Sequence, residues 1–251
     1  MIPKIIHYCW FGNTPMNYMA KRCVRKYKLI KAAEIKEWNE QNTDLSYPDF
    51  VVSAYRKQNW AFVSDYVRLK ALYDYGGLYL DTDVEIKKDF DSRFWDADLV
   101  LGYMYDDDIS TSFMMARPRH PFIKKLLDCY ETMDLSYISN NIFLTGQILE
   151  YYPGFKLDGQ YREFEKKHFI YPKSFFQCPV LLSEKGGYSV HHFMGSWYEK
   201  GRNLRYMLRP AIKYILFYCH IFGYIYWNVN QKRYLKKRPY YQRYLKDKER
   251  R

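Results

Sequence analysis

The sequence has no CxxC pair, no Cys/His cluster at metal-ligand spacing, and an odd number of cysteines, at positions 9, 23, 129, 178 and 219. That excludes a disulfide framework and a zinc ribbon, and points to a reducing compartment. Internal repeats and low-complexity linkers are also missing, so solenoids and tethered modules drop out. The opening MIPKIIHYCWFG meets a polar residue after three positions and has no long apolar run, so no secretory signal is expected. Acidic residues are scarce in one place only. Residues 200–251 hold 15 Lys/Arg against 2 Asp/Glu, while residues 1–199 are almost neutral, with 25 against 26. The chain therefore divides into a balanced body and a basic tail, which need separate accounts.

What is present suits one substantial α/β domain. Of the 251 residues, 48% are apolar and 20% aromatic, ample for a core. Apolar runs at Ile5–Trp10, Glu34–Trp38, Leu99–Tyr105 and Ser112–Ala116 read as strands, with further short strands expected near 168–176 and 188–193. Helices are expected over Pro15–Lys31, Asp49–Gln58 with Asp49 as N-terminal cap, 61–75, Pro121–Met133 and the second half of 139–152. Alternation of the two through the first 135 residues implies a largely parallel sheet covered on both faces, with ligands outside the carboxyl ends of its strands.

The stretch YDYGGLYLDTDVE, residues 73–85, carries the chemistry. A glycine pair stops the 61–75 helix, and a strand follows whose Asp81 and Asp83, two apart, point to one face. A carboxylate pair of this kind can hold Mg²⁺ or Mn²⁺ through oxygen while leaving coordination positions for a diphosphate. On the preceding helix Asp65 and Arg68 are three apart and share a face. They suit sugar hydroxyls and phosphate oxygens as well as they suit an ordinary ion pair. LDTDV also fits the nucleophile motif of haloacid-dehalogenase-type phosphatases, with Asp81 attacking phosphorus. Against that alternative, the later acidic run Asp106-Asp107-Asp108 lacks the glycine-led form such enzymes use.

IPKIIHYCWFG at 2–12, SDYVRL at 64–69, YGGLYLDTDVE at 75–85 and HHFMGSW at 191–197 together resemble glycosyltransferase family 32. These are the DxD sugar-binding-region transferases, which include bacterial capsule enzymes and yeast-type mannosyltransferases. The resemblance covers about residues 1–200. It implies a GT-A fold, a nucleotide-sugar donor, a divalent metal (usually Mn²⁺) and transfer with retention of configuration. By position, Cys9 and Trp10 match residues on the nucleotide, and Ser64, Asp65 and Arg68 match residues around ribose and donor sugar. Asp81 is shared between sugar and metal, and Asp83 is a direct metal ligand. His192 matches the late-loop metal ligand in preference to His191, and Trp197 the residue that closes over the diphosphate. Asp65, Arg68 and Asp81 are the expected catalytic set. TGQ at 145–147 departs from the relatives' TGP-like turn, and no carboxylate can be named as a double-displacement nucleophile.

The tail, residues 201–251, is expected to form a helical basic and aromatic extension of the 1–200 catalytic domain. Between Ala211 and Val229 it approaches spanning length, but Lys213, His220 and several tyrosines interrupt it. Aromatics beside clustered Lys/Arg over residues 206–251 suit an anionic membrane surface, and helices packed on the catalytic domain are the alternative. Nucleic acid would explain nothing in residues 1–199 and is not expected as a partner. The expectation is a cytoplasmic transferase, peripheral to the inner membrane face, which moves a hexose to a lipid-linked saccharide acceptor in capsule or other surface-polysaccharide assembly.

Overall fold

The computed structural model describes residues 1–134, 139–178, 187–193 and 238–249, with Ile225 and Val229 besides. Its centre is a seven-stranded sheet. The strands are β1 (Ile5–Cys9), β2 (Glu34–Trp38), β3 (Gly77–Leu80), β5 (Leu99–Tyr105), β6 (Asp108–Ala116), β7 (Arg162–Glu165) and β8 (His168–Tyr171). A separate ribbon joins β4 (Val84–Ile86) to β9 (Ser189–His191). The helices are α1 (Tyr18–Lys26), α2 (Asp49–Arg56), α3 (Trp60–Tyr75), α4 (Ser92–Trp95), α5 (Pro121–Thr132), α6 (Asn140–Tyr151), α7 (Lys173–Phe176) and α8 (Tyr241–Glu249).

The sheet order is β2-β1-β3-β6-β5-β8-β7. β1 runs parallel to both β2 and β3, as helical crossovers require, and β5 runs parallel to β8. β6 enters between the two parallel sets, antiparallel to β3 and to β5. The fold is therefore mixed α/β, its sheet having β6 reversed between the two parallel sets and β7 reversed at the edge.

Period-two alternation assigns side chains to two cores. Leu99, Leu101, Tyr103, Met114 and Ala116 pack with α2, α3, α5 and α6, while Val100, Phe113 and Met115 pack on the opposite face with Phe94 and Phe176. Phe113 stacks on Phe176 with ring centroids 3.7 Å apart. Both faces are covered, which explains why β3 and β5 read as almost unbroken apolar runs.

Helix α3 is buried through its middle, from Val63 to Leu72, and so carries Asp65 and Arg68 inside with its apolar residues. It ends at Gly76, and Gly77 follows with φ +114°. A Cβ on Gly77 would lie 2.4 Å from the Ile5 carbonyl oxygen, so only glycine lets β3 lie this close to β1. Asp49 proves to be the first helical residue of α2, with Pro48 as its cap.

Part of the tail lies within the described residues. In α8, Tyr244 and Asp247 are buried, and Asp247 accepts from the Leu157 amide at 3.0 Å. Just before it, Arg238 pairs with Asp107 at 3.3 Å and with Asp108, and covers the Tyr105 ring. Apart from Ile225 and Val229, residues 194–237 lie outside the described residues.

Candidate active site

The strand expected to carry Asp81 and Asp83 stops at Leu80, and residues 81–83 form a turn into β4. Backbone bonds fix this turn. The Asp81 amide donates to Ser112 O at 3.0 Å, and Asp81 O accepts from Val84 N at 2.9 Å and from the buried Tyr27 hydroxyl at 2.9 Å. Asp83 O accepts from His192 N at 2.9 Å. With its backbone groups satisfied by three separate elements, the turn holds both carboxylates at the carboxyl end of β3.

Arg68 connects the helix to the turn. Its Nη2 lies 2.8 Å from Asp65 Oδ1, and its Nη1 lies 3.2 Å from Asp81 Oδ1 and donates to Thr111 O at 2.7 Å. The guanidinium also covers the Tyr79 ring at 4.7 Å, and the Tyr79 hydroxyl donates to Asp81 Oδ1 at 3.0 Å. Asn140 Nδ2, at the start of α6, donates to Asp65 Oδ1 at 2.8 Å. Burial pushes the Asp65 carboxyl up to about 6, although Arg68 and Asn140 draw it down. Asp65 and Asn140 sit on the wall of a cavity of about 90 Å³ lined by Phe50, Phe62, Tyr130 and Phe143.

Cys9 and Trp10 arrive from the parallel neighbour β1, two residues beyond the His7–Tyr79 pair of the ladder. The Cys9 thiol is buried beside the Tyr79 and Ser64 side chains, and burial pushes it up to about 12. It is therefore a protonated contact group and not a thiolate nucleophile. Trp10 is partly exposed, its indole N–H donating to Thr14 O at 2.6 Å. Ser64 donates its hydroxyl to Trp60 O at 2.9 Å.

Of the two adjacent histidines, the structure brings the less expected one to the aspartates. β9 pairs antiparallel with β4, setting His191 opposite Val84, and His191 Nε2 lies 3.1 Å from Asp83 Oδ1. His192 turns to the other side, its Nε2 2.9 Å from Glu85 Oε2. Among the described residues, Asp81, Asp83 and His191 are the group able to hold a metal, with one ligand atom from each mutually within 4.8 Å. The set fits a divalent cation: two hard carboxylates and one imidazole suit Mn²⁺ better than the all-oxygen preference of Mg²⁺. Burial favours the neutral form of Glu85, yet the His192 bond and Lys87 outweigh it and hold the carboxyl near about 2. Trp197 lies outside the described residues.

The phosphatase alternative finds no support. Asp106 accepts from Lys173 at 2.6 Å, and Asp107 and Asp108 are taken by Arg238, so the acidic run serves to hold the chain together. Residues 145–147, where a turn is expected from the relatives, lie inside helix α6. The Thr145 hydroxyl meets the Ile109 amide at 2.9 Å and Asp108 Oδ1 at 3.1 Å, and Gly146 leaves room for the Tyr240 hydroxyl.

Comparison with known proteins bears on this geometry. A family model described as a glycosyltransferase sugar-binding region containing a DXD motif matches residues 15–99. Inositol phosphoceramide mannosyltransferase 1 of Schizosaccharomyces pombe is 28% identical over 133 residues, covering 49% of this chain and 40% of its own length. The chain thus spans less than half the length of that curated relative. Among solved structures, the PaToxG glycosyltransferase is similar with TM-score 0.48 and 16% identity, over 61% of this chain and 71% of that one. A glycosyltransferase involved in glycosylation of the major capsid of PBCV-1 gives TM-score 0.44 and 11% identity, over 84% of this chain and 99% of that one. The matched DXD region and the mannosyltransferase support a glycosyltransferase family for this chain.

Proposed function

We propose that the chain is a metal-dependent, retaining glycosyltransferase of GT-A type. It moves a hexose from a nucleoside-diphosphate sugar, a UDP-sugar in the first instance, to a saccharide acceptor. The observation that carries this reading is the convergence of Asp81, Asp83 and His191 within 4.8 Å, at the strand end where Arg68 ties Asp65 to Asp81.

In this reading Trp10 offers a face to the base, with Cys9 and Ser64 beside the nucleoside. Asp65 accepts from donor-sugar hydroxyls, and Arg68 sets its position while facing the sugar or phosphate oxygens. Asp81 and Asp83 would hold the metal, with His191 and not His192 as the third ligand. A bound Mn²⁺ or Mg²⁺ would neutralise the charge developing on the leaving diphosphate. Transfer proceeds on one face of the sugar: the bond from C1 to the phosphate oxygen breaks and the bond to the acceptor oxygen forms on the same side. The acceptor hydroxyl proton passes to the departing phosphate oxygen. Trapping a covalent glycosyl-enzyme would overturn this step.

The setting we propose is capsule or other surface-polysaccharide assembly on a lipid-linked acceptor, at the cytoplasmic face of a membrane. Among the described residues no helix is long and apolar enough to cross a membrane. With α8 packed on the catalytic domain, contact with anionic headgroups falls to the basic stretch from 206 to 237. Co-sedimentation with anionic vesicles that survives deletion of the tail would remove it from that role.

The deciding experiment is a donor panel. Purified protein is incubated with UDP-galactose, UDP-glucose, UDP-N-acetylhexosamines and GDP-mannose, with Mn²⁺ or EDTA, and free nucleoside diphosphate is measured. Slow Mn²⁺-dependent release from one donor, lost in Asp83→Ala, supports the proposal and names the sugar. Absence of release from every donor, together with no binding of any, refutes it.

A further inference from the structure

We propose that Gln177 is a positioning residue for His191, fixing both the orientation of its ring and the tautomer that leaves Nε2 free to bind a divalent cation beside Asp83. The inference rests on the metal-dependent reading above and adds a residue that no motif in the sequence marks.

Gln177 closes the short helix α7, is fully buried, and holds His191 at two points. Its backbone oxygen accepts from the His191 amide at 3.0 Å, and its Oε1 lies 3.1 Å from His191 Nδ1. An amide oxygen can only accept, so the proton of the neutral ring is on Nδ1 and the lone pair is on Nε2. A neighbouring pair of hydroxyls meets the same amide oxygen. Ser110 Oγ accepts from the Ser112 amide at 3.1 Å and lies 2.8 Å from Ser112 Oγ, where either hydroxyl can donate. Ser112 Oγ then donates to Gln177 Oε1 at 3.1 Å. Gln177 Oε1 therefore receives two donors. Gln177 Nε2 is buried without a hydrogen-bond partner among the described residues.

A buried amide nitrogen without a partner is costly, and an apolar side chain of the same length would avoid it. Placing the oxygen end against His191 Nδ1 gives that cost a function. The consequence appears at the other side of the ring, where His191 Nε2 and Asp83 Oδ1 stand 3.1 Å apart. With the proton on Nδ1, both are acceptors, an unfavourable pair that a cation between them relieves. A metal-ligating histidine characteristically gives its second ring N–H to an oxygen in this way.

Two measurements test the proposal. ¹⁵N NMR of the metal-free wild-type protein should find the His191 proton on Nδ1; a proton on Nε2 overturns the assignment. Mn²⁺ titrations then compare wild type with Gln177→Met, which keeps the length and loses the acceptor, and Gln177→Glu, which keeps the acceptor. Gln177→Met should raise the Mn²⁺ Kd by about 10- to 100-fold while Gln177→Glu stays near wild type. Combining Gln177→Met with His191→Ala should add nothing to His191→Ala alone. Unchanged Mn²⁺ affinity in Gln177→Met refutes the role, as does an equal loss in Gln177→Glu, which would put the amide nitrogen against the ring. A wild-type protein that binds no Mn²⁺ fails at an earlier point, taking the metal reading down with the inference.

Discussion

Arg68 stands 3.2 Å from Asp81 through Nη1 while its Nη2 holds Asp65, so one guanidinium spans a helix and the turn that carries the carboxylates. Arg68 and Asp65 are buried while Asp81 is partly exposed, and a buried charge pair is costly to break from one side because the abandoned carboxylate keeps its desolvation penalty.

Arg68→Ala should therefore destabilise the fold by about 3–5 kcal/mol and abolish donor turnover. Arg68→Lys should fold better but remain nearly inactive, since an ammonium cannot reproduce the fork that reaches Asp65, Asp81 and Thr111 O together. Denaturant titration and nucleoside-diphosphate release measure the two effects separately. A fully active Arg68→Lys would show that the fork is unimportant.

The two adjacent histidines should separate cleanly. His191→Ala is expected to weaken Mn²⁺ binding at least about tenfold with little change in unfolding midpoint. His192→Ala should leave Mn²⁺ affinity near wild type and cost about 1–3 kcal/mol, because buried Glu85 loses a partner. The reverse pattern in a paired calorimetric titration and urea melt would restore His192 to the metal.

Gly77→Ala should cost at least about 1–3 kcal/mol from the backbone conformation alone. The clash with Ile5 O adds to that. A thermal melt equal to wild type would mean that β3 can move away from β1 without penalty.

Stability should fall as pH drops below neutrality. Burial lowers His7 to about 4 and His120 to about 3, so the folded state keeps both neutral while the unfolded chain protonates them near 6.5. Their contribution is present above 6.5 and is lost as pH falls toward the folded values. Between pH 7 and pH 5 each should cost about 2 kcal/mol, and His120→Gln should remove about that much of the pH dependence. Urea titrations at the two pH values decide it; an unaltered slope in the variant would contradict the assignment.

How much of this could be read from the letters depends on the range of the interaction. The sheet strands and α3 follow from local periodicity, because one face of each must be apolar wherever the chain packs. Asp65 and Arg68 were legible together for the same reason: a spacing of three on a helix is a geometric fact. The turn at 81–83 was hidden because LYLDTDVEI alternates like one continuous strand, although aspartates around a threonine suit a turn equally well. His191 against His192 could not be decided locally. The choice depends on the register of β9 on β4, which is set between segments about a hundred residues apart. Gln177 and the Arg238 contacts with Asp107 and Asp108 belong to the same class, having no motif and existing only once distant pieces meet.

The β4–β9 ribbon has a consequence for how the protein could be followed in solution. His192 and Glu85 are 107 positions apart in the chain. A cation shared by Asp81, Asp83 and His191 would act as a clasp across that long loop, and whatever closes such a loop in the folded state alone stabilises it by an amount that rises with the logarithm of the free ion concentration above Kd. Melting temperature would then serve as a gauge of ion binding, readable with no donor or acceptor in hand.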